Sequence, residues 1–296
     1  MDDIFNSLVI GLLLGGIYAL IALGLNLIFG VIRVVNFAHA ELVMLGMYGT
    51  LLCVNVLHIE PYLSLLIVVP LLGIFGLAIQ RLVIQPLQNE HMMQMFATFA
   101  LLTILQNLVL AFTRGEGFSV TTAVATSGLQ LGDVRVTATR GIVFVAVTVL
   151  SVLLHYFLKS TLTGKSIRAV TQDRQSARLM GIDVERTFIV TFGIGAALAG
   201  VAGVLLAPVY TLSPSIGGNF ILAAFAVVVL GGLGSVAGAY FGGMIVGVIE
   251  AFAGTFIDPE LKQAIWFLIF VLVLVVRPTG LFGQVGAEEI GFREQT

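Results

Sequence analysis

The sequence predicts an all-α fold, a polytopic transmembrane helical bundle of about eight or nine spans. Hydrophobic residues make up 58% of the 296 residues and charged residues only 10%, where soluble domains carry about 25% charged. Mean hydropathy is +1.08. Several continuous runs reach the length of about 20 apolar residues that crosses a hydrocarbon core of about 30 Å. A closed β-barrel would instead show alternating segments of about ten residues. The net charge of −2 and a pI near 6.1 argue against a nucleic-acid surface.

Nine candidate spans follow from hydropathy: Leu8–Gly30, Phe37–Leu57, Tyr62–Ile84, Met93–Phe112, Gly141–Leu158, Phe188–Val209, Phe220–Gly234, Tyr240–Ile257 and Ala264–Val276. The seventh is short and runs into a glycine cluster, as a broken or re-entrant segment would. The start, MDDIF, lacks the basic region of a signal peptide, so the first run is expected to stay as a helix. Residues 1–296 read as a single transmembrane domain. Cys53, the one cysteine, lies within an apolar run and reads as a small buried residue.

Lys159–Arg186 is the only long charged island. Nine of its 28 residues are charged, and it holds six of the fourteen Lys and Arg residues. Placing it in the cytoplasm and alternating sides puts Arg33, Arg81, Lys159, Lys165, Arg168, Arg174, Arg178, Arg186, Arg277 and Arg293 inside. Arg114, Arg135, Arg140 and Lys262 then lie outside. This excess of inside cations predicts an outside N-terminus and a cytoplasmic C-terminus. The island, residues 159–187, becomes a cytoplasmic loop, and residues 113–140 an outside loop. In the latter, Leu129 and Leu131 precede Gly132-Asp133 and Val134 and Val136 follow, the pattern of a β-hairpin with a two-residue turn.

Small residues recur at spacing four: Gly234, Gly238 and Gly242; Gly243 and Gly247; Ala196 and Gly200; Ala199 and Gly203. That spacing lines one helix face and lets two backbones approach closely. A weak internal echo accompanies it. GLLLGGIYAL and GIGAALAGVAG each precede an Asn-Phe pair, Asn36-Phe37 and Asn219-Phe220, as in transporters built from inverted repeats.

No catalytic set emerges. Gly164-Lys165-Ser166 resembles the tail of a phosphate loop, but Lys159 stands where the first glycine belongs, and a membrane helix precedes it instead of a strand. His39-Ala40-Glu41 lacks the cysteine pair of a zinc deaminase. The sequence therefore predicts neither an enzyme nor a metal site. Polar residues within spans are Asn26, Asn36, His39, Glu41, Gln106, Asn107 and Glu250. A charge at the bilayer centre is costly and usually faces a cavity or a partner. Asn36, His39, Glu41 and Glu250 are thus candidates for a translocation pathway, with His39 or Arg33 near enough in sequence to answer Glu41. The carboxylates Glu41 and Glu250 also fit an ion-coupled secondary transporter.

Within the island, Thr163 or Ser166 can cap a helix and Gly181 can end one, with Ile167, Val170, Ala177 and Met180 near one face. This predicts one short amphipathic helix that either lies on lipid or docks a partner.

Three stretches resemble one family. IRAVTQDRQSARLMGIDVERTF resembles the cytoplasmic coupling loop of ABC importer permeases of the branched-chain amino-acid family, with Gln175-Ser176-Ala177 where an acidic residue opens the triplet. NFAHAELVMLGMY resembles the family's Asn-Phe-Ala-His-Gly-Glu signature, with Ala40 in place of glycine. AFAVVVLGGLGSVAGAYFGG, residues 224–243, is also similar. The resemblance is to the H-type subunit and spans nearly the whole chain.

It implies a permease of an ATP-driven importer for branched-chain or other neutral amino acids, in the bacterial inner membrane. A urea or short-chain amide permease is the alternative. The implied partners are a second, related permease (LivM type), two cytosolic ATPases (LivG and LivF types) and a periplasmic binding protein. No cofactor belongs to this chain, since ATP and magnesium bind the ATPases. Gly164, Arg168, Asp173, Arg174, Ala177, Arg178 and Gly181 are implied as ATPase-coupling positions, and Asn36, His39 and Glu41 as signature residues.

Overall fold

The computed structural model describes residues 2–88, 90–124, 127–131, 134–277 and 279–283. Its helices are α1 (Asp2–Ile32), α2 (His39–Leu57), α3 (Leu65–Ile79), α4 (His91–Thr113), α5 (Ala138–Ser160), α6 (Leu162–Gln172), α7 (Arg174–Leu179), α8 (Val184–Leu206), α9 (Ile216–Gly231), α10 (Val236–Phe256) and α11 (Lys262–Val276). Every predicted span is a helix. Among the described residues, seven helical segments are long and apolar enough to cross a membrane, while α9 and α11 are shorter. A 3₁₀ turn, Pro61–Ser64, leads into α3, and α3 continues through a π-helical turn, Gln80–Ile84.

The two strands of the loop between α4 and α5, β1 (Gly128–Leu131) and β2 (Val134–Thr137), pair antiparallel with Leu131 opposite Val134. That register matches a two-residue connection. The predicted turn residues, Gly132 and Asp133, lie outside the described residues, as does Arg293. The same loop also touches the chain after α8, where Phe118 and Leu212 exchange backbone hydrogen bonds of 3.1 and 2.7 Å.

α1 is the axis of the bundle. It packs antiparallel to α10, with Ser7 donating to Thr255 at one end and the Asn26 amide donating to the Ser235 carbonyl at the other. The glycines at spacing four make this seam. A Cβ on Gly15 would lie 2.7 Å from the Gly243 carbonyl and from Met244 Cα, too close for any side chain. A Cβ on Gly24 would meet the Gly195 carbonyl of α8 at 2.7 Å. In an apolar solvent burial alone brings no association, so close van der Waals packing of this kind holds the helices together.

Sidedness is consistent throughout. Arg33 bonds the Thr171 carbonyl on the island side. Leu281 and Phe282 bond the carbonyls of Leu230 and Gly231 at the end of α9, beside the turn whose Ser235 meets Asn26. The described C-terminal segment therefore lies on the island side and Ser7 on the other, as an odd number of crossings requires.

Two expectations are corrected. The seventh span is unbroken. Its glycine cluster forms the turn into α10, where Gly232 and Gly234 have positive φ. The irregular backbone lies instead between α1 and α2. The island holds two helices rather than one, because Asp173 is extended (φ −154°, ψ 114°), ends α6 and caps α7. The cap of α6 is Thr161, not Thr163 or Ser166. Ile167, Val170 and Ala177 are buried, but Met180 is 82% exposed, because the break at Asp173 re-aims the face.

Gly247→Val is expected to destabilise the α1–α10 seam by about 2 kcal/mol through overpacking, since its Cβ would overlap the Gly15 backbone. Gly141→Val, with nothing within 4 Å of its Cβ, should leave the detergent-solubilised protein's melting temperature nearly unchanged. Equal melting of the two variants would refute the seam.

Candidate functional site

The chain leaves α1 at Arg33, which has φ +60°. Residues 33–36 are irregular, and a turn at Phe37-Ala38 opens α2. This segment runs back into the bundle. His39, the first residue of α2, places Nε2 3.2 Å from the Ile21 carbonyl. Ile21 lies three turns before the end of α1, about 16 Å along its axis. α2 therefore begins at membrane depth.

Irregular backbone at that depth survives only where protein or a cavity satisfies it. Thr98 of α4 does much of this. Its hydroxyl lies 3.1 Å from the Val35 carbonyl and 2.9 Å from the Met95 carbonyl, which share its one proton, and it accepts the Phe37 N–H (3.4 Å). Asn36 Oδ1 accepts the Ala38 N–H at 3.1 Å. The Phe37 ring packs on Phe99 of α4 and Phe225 of α9, with centroids 6.3 and 5.8 Å away.

Glu41 is 1% exposed, and its carboxylate lies against Gly217 in the first turn of α9. A helix N-terminus is a favourable place for a carboxylate. Neither expected partner answers it. His39 turns to Ile21, and Arg33 reaches the Thr171 carbonyl at 3.3 Å. Asn36 Nδ2, His39 Nδ1 and Glu41 Oε2 are buried and have no hydrogen-bond partner among the described residues. Other buried polar atoms, such as Gln80 Oε1 and Trp266 Nε1, also lack a partner, so what sets these three apart is that they come from one short stretch of chain. The structure thus brings Asn36, His39 and Glu41 into one junction, where α2 and α9 begin inside the bundle and run to opposite sides. The two Asn-Phe pairs of the sequence echo stand at these two starts.

Glu250 lies elsewhere, on the α1–α10–α11 seam. The Tyr18 hydroxyl donates to its Oε2 at 2.7 Å, and Lys262 Nζ is 3.6 Å from Oε1. This carboxylate is already partnered. Asn26 is also structural, since it holds the α9–α10 turn through Gly234 N–H and Ser235 O. Asn107 of α4 is exposed and bonds the Thr103 carbonyl of its own helix. Among the described residues no three His, Cys, Asp or Glu side chains gather as a metal site.

The island candidates separate by burial. Gly164 is buried where a Cβ would overlap the Phe157 carbonyl of α5, and Ala177 is 4% exposed. Arg174 turns inward. Its guanidinium bonds the α1 carbonyls of Ile32 (2.9 Å) and Val31 (3.4 Å) and lies 5.0 Å over the Phe188 ring. Arg168, Asp173, Arg178 and Gly181 are exposed. Asp173 caps α7 through the N–H groups of Gln175 and Ser176, and the Ser176 hydroxyl and those N–H groups hold its carboxyl below the usual carboxylate range.

Gly181, at φ +81°, closes α7 in a Schellman motif. Ile182 N–H bonds Ala177 O and Gly181 N–H bonds Arg178 O, each at 3.0 Å. The result is a rigid knob tipped by Leu179 and Met180, 88% and 82% exposed. Sequence reasoning missed Thr98 and Tyr18 altogether and missed the inward turn of Arg174. No periodicity marks any of the three.

Thr98→Val is expected to destabilise the junction by about 1–3 kcal/mol, the penalty for stranding buried backbone groups; unchanged thermal unfolding would remove Thr98 from that role. Because the carboxyl pKa of Asp173 is depressed on folding, its cap is fully present above the ordinary value of 3.8 and is lost as pH falls below it. Asp173→Asn should preserve α7, and Asp173→Ala should increase amide exchange there.

The family described as the branched-chain amino acid transport system permease component matches residues 7–274. The chain is 32% identical to the high-affinity branched-chain amino acid transport system permease protein LivH of Salmonella typhimurium, over 98% of this chain and 97% of that one. It is 32% identical to the corresponding permease protein BraD of Pseudomonas aeruginosa, over 98% and 100%. A probable LivH of Methanocaldococcus jannaschii is 31% identical over 89% of this chain and 88% of its own. No solved structure matches the chain. With its helical bundle and near full-length relatives, the chain belongs to the branched-chain amino acid transport permease family.

Proposed function

We propose that the chain is the permease subunit of an ATP-driven importer that carries branched-chain or other neutral amino acids across the bacterial inner membrane. Its relatives carry branched-chain names over almost their full length, which favours that substrate class over urea or short amides. Positive-inside asymmetry supports a cytoplasmic island, and Leu281-Phe282 share its side, which supports the reading of a cytoplasmic C-terminus. A LivM-type permease would complete the pathway, two ATPases of LivG and LivF type would bind ATP and magnesium, and a binding protein would select the substrate.

One observation carries the mechanism: Arg174 joins the exposed knob to the last carbonyls of α1. Asn36, His39 and Glu41 follow α1 directly in the chain. A push on Arg178, Leu179, Met180 or Gly181 from an ATPase passes through Arg174 to Ile32 and then to the irregular segment. Moving that segment shifts the start of α2 and so makes or breaks the close contact between Glu41 and Gly217. Both Arg174 bonds to α1 come from one guanidinium nitrogen, Nη2, whose two N–H groups are fixed in the guanidinium plane, whereas a lysine ammonium rotates freely.

Reconstitution with the partner subunits separates the steps. Gly181→Pro should abolish ATPase association, since proline cannot adopt the positive φ. Arg174→Ala should keep the ATPases bound and hydrolysing while uptake per ATP falls about tenfold. Normal coupling in Arg174→Ala would eliminate the link. Glu41→Gln should slow uptake with ATPase association unchanged, and wild-type uptake in that variant would remove Glu41 from the pathway.

A further inference from the structure

We infer that the groove between α3 and α8 is a binding site for one anionic phospholipid of the leaflet on the island side. The groove is a shallow, outward-open depression of about 470 Å³, lined by apolar side chains and glycines, among them Pro70, Gly73, Leu77, Val190, Gly193 and Ala197. Its depth comes from small residues on both helices. Its length along α3, from Val69 to Leu77, is about 12 Å. Ile74 on its rim is 66% exposed, so the groove opens outward from the bundle. An opening of this size in the hydrocarbon region contains no group that could hold water, and an acyl chain fills it.

The charge at one end selects the headgroup. Arg81 lies in the π-helical turn that continues α3 just past Leu77, and Arg186 precedes Val190 by four on α8, so both stand at the island-side ends of the groove-lining helices. Both arginines are exposed. Neither has an ion-pair partner among the described residues. The nearby acid, Glu185, is engaged by the Gln85 amide at 3.1 Å, a bond that ties the two helices together just below the groove. Two cations at the mouth of an apolar slot match a phosphate above an acyl chain. This assignment is independent of the transported substrate, because it uses neither the α2–α9 junction nor α7.

Native mass spectrometry of the purified transporter tests it, with palmitoyl-oleoyl phosphatidylglycerol and phosphatidylcholine as probes. The wild type should retain one phosphatidylglycerol at concentrations where phosphatidylcholine is lost. Arg81→Gln with Arg186→Gln should weaken that retention about tenfold, and Lys165→Gln should not change it. Gly73→Leu, whose Cβ has ordinary contacts of 3.5 Å or more, should reduce retention of both lipids. Equal retention of the two lipids, or indifference to the double substitution, overturns the headgroup assignment. Release of a second membrane subunit by Gly73→Leu, with lipid retention unchanged, overturns the site and assigns the groove to protein contact.

Discussion

The break between α1 and α2 is the constraint on which the rest of the structure depends. A membrane helix satisfies its own backbone, and residues 33–38 do not. Placing them inside the bundle requires donors and acceptors from elsewhere, which Thr98 and Asn36 supply. It also requires that neighbours come close enough to exclude lipid. The glycine contacts of Gly24 with α8 and of Gly15 with α10 make that closeness available. The glycine stripes and the irregular segment are therefore one design, since the first makes the second tolerable.

Burying Glu41 follows from the same break. Because α2 starts at depth, its acidic first turn also sits at depth, against the start of α9. The partial positive charge of that helix end offsets some of the desolvation of the carboxylate. Glu250 shows the contrasting solution. A tyrosine hydroxyl and a lysine on neighbouring helices satisfy it directly. Two acids that look alike in sequence thus have opposite settings, one partnered and one with an orphaned oxygen.

The island joins this core through a helix end as well. The last carbonyls of α1 have no intrahelical partners, and Arg174 bonds two of them. A cation at a helix C-terminus is favourable on both hydrogen-bonding and dipole grounds. The knob of α7 is consequently fixed to the same helix whose continuation forms the junction. Its Schellman closure leaves Leu179 and Met180 outward, where an amphipathic helix lying on lipid would need a longer continuous face.

Legible in the residues alone were the class, the nine candidate spans, the hairpin pattern, the charged island and the stretches that carry the family likeness. These are local properties: hydropathy over about 20 residues, charge asymmetry and short spacings. The sequence pointed to a break at the glycine cluster after α9, and residues 31–36 read as a plain connection between two spans, because hydropathy does not show that this connection folds back into the bundle. Only the tertiary structure decided which polar groups meet. Thr98 reaches Val35 across 63 positions and Arg174 reaches Ile32 across 142. No period links residues so far apart. Their pairing is set by helix packing, which brings a hydroxyl and a guanidinium to the backbone groups that α1 leaves unsatisfied.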